Sequence, residues 1–93
     1  MSDPKRVHID VNDTPYYLTV DISKWDCRRE APHCHVCKGR ERVAQVWLSS
    51  CTYKETPREI PHNQQMTILN AVRDNRYELE SAFQYNHDYG ADQ

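Results

Sequence analysis

The chain has 93 residues, 38% of them hydrophobic and 28% charged, and a formal net charge of −2. That length sets a single domain with a small core, and the charge gives no global attraction to nucleic acid. Two tryptophans, six tyrosines and one phenylalanine exclude a disordered chain, because such rings offset ordering entropy by burying large areas.

Elements follow in chain order. From Arg6 to Val11 the chain alternates, with Val7, Ile9 and Val11 opposing His8 and Asp10, the period of a half-buried strand. Asn12-Asp13-Thr14-Pro15 is turn chemistry. Tyr16 to Ile22 alternates again, Tyr16, Leu18, Val20 and Ile22 opposing Tyr17, Thr19 and Asp21, which completes an antiparallel hairpin. Ser23 to Ala31 is an aperiodic loop anchored by Trp25. Pro32 to Cys37 forms a third strand, Lys38-Gly39-Arg40-Glu41 a turn, and Arg42 to Leu48 a fourth strand, apolar on both faces and therefore central. Ser49 to Pro61 reads as a long linker, a length expected of mobile or functional segments.

Helix follows from His62. Leu69, Val72, Arg76, Leu79 and Phe83 fall on one stripe, flanked by Met66, Ile68 and Ala82. Arg76 on that stripe, after Asp74-Asn75, predicts a bend or a break into two helices, and Tyr85 to Gln93 is expected to fray. The expected fold class is α+β: a small antiparallel sheet of about four strands, as two hairpins, packed against one or two C-terminal helices. Residues 1–93 form one domain, with 1–5 and 88–93 frayed. No apolar run is long enough for a membrane span, and Met1 to Arg6 lacks a signal-peptide pattern, so the expected compartment is the cytoplasm.

The densest chemistry lies in Pro32-His33-Cys34-His35-Val36-Cys37-Lys38-Gly39. Cys34-x-x-Cys37-x-Gly39 has the form of half a zinc knuckle. With the isolated Cys27 and Cys51 it makes a candidate zinc set of Cys27, Cys34, Cys37 and Cys51, or one in which His33 or His35 replaces a cysteine. An extended segment opposes this, because residues three apart in a strand face opposite ways. Disulfides need an oxidising compartment, and a redox C-x-x-C normally opens a helix. No cofactor is expected unless zinc is bound. An extended segment also sets His33 and His35 on one face, about 6.5 to 7 Å apart. With arginines nearby, two imidazoles could serve as acid and base of a metal-independent ribonuclease; the plainer alternative is two hydrogen-bonded strand histidines.

Charge is segregated. Lys24, Arg28, Arg29, Lys38, Arg40 and Arg42 outweigh Asp26, Glu30 and Glu41, whereas from Glu59 onward acids outnumber Arg73 and Arg76. The basic stretch 24–42 is either a solvated face or a patch for an anionic partner, with Arg28, Arg29, Lys38, Arg40 and Arg42 as its contacts and RNA or DNA as a possible ligand.

Pro32-His33-x-His35-Val36, the Gly39 turn, the Ala44 to Leu48 strand, and Asn75-Arg76-x-x-Leu79 with Phe83 and Tyr85 together resemble a family of small prokaryotic proteins, domain of unknown function 4160. The chain departs from it at Arg28-Arg29-Glu30, where the family often shows an acidic-histidine pair, and the cysteines lie outside the family pattern. The resemblance implies a single α+β domain, encoded beside another small protein in a toxin–antitoxin-like arrangement, with no established activity. It also makes His33 and His35 the residues to test. A phage or mobile-element inhibitor fits the resemblance equally. The leading expectation is a small cytosolic protein-interaction module that binds a protein partner through the linker and the acidic helical end. The alternatives are a ribonuclease-like toxin using His33 and His35, and a zinc-stabilised binding module.

Overall fold

The computed structural model of the chain describes residues 5–22 and 31–91, with side chains to residue 88. Five strands form one antiparallel meander, each hydrogen-bonded to the next in chain order: β1 (Ile9–Asp10), β2 (Tyr16–Thr19), β3 (His33–Lys38), β4 (Glu41–Trp47) and β5 (Thr52–Tyr53). Two helices follow, α1 (His62–Asp74) and α2 (Arg76–Ala91). This is the expected α+β class with one strand more than expected. The extra strand, β5, lies inside the segment read as a linker, where two paired residues are too short to show a period.

The register divides the sheet into two chemical faces, because residues paired across strands share a face. Leu18 stands opposite Val36 and Val36 opposite Ala44, while Cys34 stands opposite Val46 and Val46 opposite Tyr53. This apolar face joins Ile68 and Val72 of α1 and Leu79, Ala82 and Phe83 of α2 in one core. Thr19, His35 and Gln45 make the opposing row, and His33 pairs with Trp47. Both faces of β3 are buried from His33 to Cys37, so β3, rather than β4, is the most enclosed strand.

Three turns set this register. Asp13 takes a left-handed φ of 64° between β1 and β2, a conformation that Asp tolerates better than most residues. There Thr14 Oγ1 donates to the Val11 carbonyl and accepts from the Tyr16 amide. Gly39 and Arg40 join β3 to β4 as a two-residue loop with Lys38 opposite Glu41. Positive φ at Gly39, 61°, in the first loop position fits a type II′ hairpin, whose twist matches that of the strands. Cys51 takes φ 54° between β4 and β5, where its amide donates to the Trp47 carbonyl.

The 49–61 segment is tied down rather than loose. The Lys54 amide donates to Gln45, Tyr53 Oη donates to the Gln65 carbonyl, and Gln65 Nε2 donates to the carbonyls of Pro57 and Ile60. The helical region breaks as expected, at Asn75, whose amide and side chain both donate to the Ala71 carbonyl. The buried stripe runs through Ile68, Val72, Leu79, Ala82 and Phe83 to Asn86. Arg76 is off it, exposed and paired with Glu80 at 2.8 Å. The helix continues to Ala91, with Asn86 anchored from outside its own helix; residues 92 and 93, at the end of the segment expected to fray, lie outside the described residues. Among the described residues no helix is long and apolar enough to cross a membrane.

A Cβ added at Gly39 would meet no atom within 4 Å, so any penalty there comes from the backbone alone. Gly39→Val is expected to cost about 1–2 kcal/mol, and Gly39→Asn less. Urea unfolding midpoints of the two variants check this.

Candidate functional site

Where β2 ends, its pairing with β3 is already fixed by Thr19 opposite His35. Continuing that antiparallel register two residues carries Asp21 to His33. Asp21 Oδ2 lies 2.8 Å from His35 Nε2 and 3.2 Å from His33 Nε2. One carboxylate oxygen thus faces both imidazoles. His33 Nδ1 lies 2.9 Å from the Ala31 carbonyl oxygen. Its ring is set edge-on among His35, Trp47 and Phe83, with centroids 5.3, 5.9 and 5.4 Å away. All three residues are interior: His33 is 1% exposed, Asp21 2% and His35 4%.

Arg42 completes the cluster, its Nη2 3.1 Å from Asp21 Oδ1. Strict alternation would place Arg42 on the apolar face with Ala44. A register shift between Val36 and Cys37 prevents that: Val36 pairs with Ala44, but Cys37 pairs with Arg42, leaving Val43 as an extra residue in β4. A β-bulge re-aims the side chains beyond it, and this one turns Arg42 to the histidine face.

Burial alone would lift the Asp21 carboxyl. Hydrogen bonds to His33 and His35, with the positive potential of His35 and Arg42, outweigh it and hold the carboxyl well below the usual carboxylate range. Asp21 is therefore an ionised group inside the protein. The backbone adds a further tie: Asn86 of α2 donates through Nδ2 to the Asp21 and Lys5 carbonyls and accepts the Lys5 amide at Oδ1. Beside the cluster, a cavity of about 210 Å³ is lined by His35, Arg42, Val43, Ala44, Gln45 and the segment Lys54 to Pro57.

Of the sequence-derived candidates, His33, His35 and Arg42 meet in this cluster. Lys38 and Arg40 are exposed at the β3–β4 turn, at the other end of the strand from His33. Arg28, Arg29, Trp25 and Cys27 lie outside the described residues. Cys34 and Cys37 fall on opposite faces of β3, Cys34 in the apolar core and Cys37 across from Arg42. Among the described residues, the donors close enough to share one ion are Asp21, His33 and His35, whose ligand atoms all lie within 4.8 Å of one another; no cysteine joins them. Asp21 is the residue that sequence reading missed. Its place on the polar side of the second strand was legible, but the strand register that sets it against His33 was not.

Fold and site together define a small α+β domain built around a buried carboxylate that joins two histidines and an arginine. The chain belongs to the family described as domain of unknown function DUF4160, whose model matches residues 18–84. No curated protein and no solved structure gives a significant match.

The described cysteines are free thiols in unequal settings. Burial pushes the Cys34 thiol up to about 12, and it also raises that of Cys37; Cys51 is half-buried. Since the thiolate is the reactive form, iodoacetamide at pH 8 is expected, among these three, to modify Cys51 before Cys37 and to spare Cys34 until the chain unfolds. Peptide mass mapping reads the order.

Proposed function

We propose that the chain is a protein-interaction module that binds a macromolecular partner through the outer face of α2. The observation that carries this is Tyr77, 85% exposed on a helix whose other face, Leu79, Ala82 and Phe83, packs into the core. It borders a groove lined by Pro32, Ser49, Tyr77, Glu80, Ser81 and Gln84. Exposed tyrosines at a groove are the residues that anchor protein interfaces, because they combine apolar area with a polar tip and few rotamers. Glu78, Glu80 and Asp88 on the same helix favour a partner with a basic contact surface. The sequence-based contact surface is thereby narrowed: the 49–61 segment is occupied with intramolecular bonds, and the acidic helix is the better surface. A toxin–antitoxin-like pair, or inhibition of a host component by a phage protein, is the setting in which such a cytoplasmic module would act.

The ribonuclease reading has less support. His33 and His35 are buried and engaged with one carboxylate, so an RNA phosphodiester would have to reach them through the cavity that His35 lines. Lys38 and Arg40 are exposed, but they lie apart from the histidines.

The test uses the full chain as bait in extracts of its native host, with Tyr77→Ala as the matched control. The expected outcome is an equimolar partner held by the parent chain and lost, at least tenfold, by a variant of unchanged melting temperature. Equal recovery by both baits, or recovery of no partner by the parent chain, refutes the reading.

A further inference from the structure

His33 presents both ring nitrogens to oxygens of the described residues. Its Nδ1 lies 2.9 Å from the Ala31 carbonyl oxygen, which can only accept, so Nδ1 carries a proton. The neutral ring then aims the lone pair of Nε2 at Asp21 Oδ2, 3.2 Å away. A carboxylate oxygen likewise only accepts. Two facing lone pairs in the interior need a positive centre between them, either a second ring proton or a metal ion.

We infer that Asp21, His33 and His35 form a three-ligand site for a divalent cation of the zinc class, with Asp21 Oδ2 and both Nε2 atoms as donors. Several features support this independently of any partner. A zinc ion bonds to imidazole nitrogen and carboxylate oxygen at about 2.0–2.2 Å, which in a tetrahedron spaces neighbouring donors by roughly 3.3 Å. The two nitrogen-to-carboxylate separations, 2.8 and 3.2 Å, are already close to that spacing, and all three donors lie within 4.8 Å of one another. A metal-bound histidine normally gives its other N–H to a carbonyl or carboxylate, which is the role Ala31 fills for His33. His35 Nδ1 has no hydrogen-bond partner among the described residues, so an ion that replaces the proton between Nε2 and Asp21 Oδ2, 2.8 Å apart, leaves the ring's remaining proton on Nδ1. Arg42 occupies Oδ1 and leaves Oδ2 for monodentate ligation.

Two nitrogens and one oxygen favour zinc and its transition-metal neighbours over magnesium or calcium, which prefer all-oxygen sites. Three protein ligands leave one position for water. This set contains no cysteine, unlike the sequence-derived set of Cys27, Cys34, Cys37 and Cys51, in which His33 or His35 could replace a cysteine.

Zinc added to the chelator-treated full chain should bind at one equivalent, read by isothermal titration, and should raise the melting temperature. Asp21→Asn and His35→Gln should each weaken binding by about a hundredfold in variants whose circular dichroism stays native. A folded parent chain that takes up no zinc, or variants that bind as tightly as the parent, would overturn the site. Should both variants fail to fold, cobalt substitution in the parent chain decides. Visible cobalt bands without a thiolate charge-transfer band support the proposal; a thiolate band places the metal on cysteine and overturns it.

Discussion

Asp21 carries the constraint on which the rest of the structure depends. An isolated carboxylate inside a protein costs many kcal/mol, so it persists only where neighbours supply charge and hydrogen bonds. Asp21 draws those from every layer of the fold: His33 and His35 from β3, Arg42 from β4, and Asn86 from α2 through its own backbone carbonyl. The demand explains features that otherwise look unrelated. It accounts for the β4 bulge, which carries Arg42 to this face, and for an asparagine at the end of an apolar helical stripe. It also accounts for a helix that continues through a polar sequence, where Asn86 joins the Lys5 backbone to the Asp21 carbonyl.

β3 is enclosed on both sides, yet its two faces do different work. Cys34 and Val36 fill the apolar core against Leu18, Ala44 and Val46. His33, His35 and Cys37 face a polar interior ordered by Asp21 and Arg42. The C-x-x-C spacing, the most conspicuous metal signal in the sequence, is split by this alternation. A three-residue step along an extended strand changes face, and the β4 bulge does not alter the path of β3. The histidines, two residues apart, stay together for the same reason.

Local pattern made much of the fold legible. The hairpin of Ile9–Asp10 with Tyr16–Thr19, shorter than the alternation over residues 6–22 predicts, the Lys38-Gly39-Arg40-Glu41 turn and the helix break at Asn75 all follow from neighbouring residues, and each is present in the structure. What stayed hidden depends on partners distant in sequence. β5 has two paired residues and no period to detect. Arg42 changes face through one extra residue in β4, which composition does not mark. Ile68 rather than Leu69 heads the buried helical stripe, a one-residue rotation that only packing against the sheet decides. Asp21 looked like an ordinary polar strand residue, because its burial is created by strands and a helix that begin at least twelve residues later.

The energetics of such a cluster argue that stability is not the reason it is there. Removing one member of a buried charge network costs about 3–5 kcal/mol, but replacing a whole network with well-packed apolar residues is often neutral or stabilising. A small core could therefore reach the same stability with leucine and valine at these four positions. What apolar residues cannot supply is a fixed array of two imidazole nitrogens and a carboxylate oxygen inside the domain, held by an arginine and an asparagine that contribute no donor themselves. That division, with Asp21, His33 and His35 as donors and Arg42 and Asn86 as supports, is the organisation of a binding centre with its outer shell. The exposed face of α2 lies outside this network, so the proposed recognition of a partner there and the proposed ligation in the interior have no residue in common.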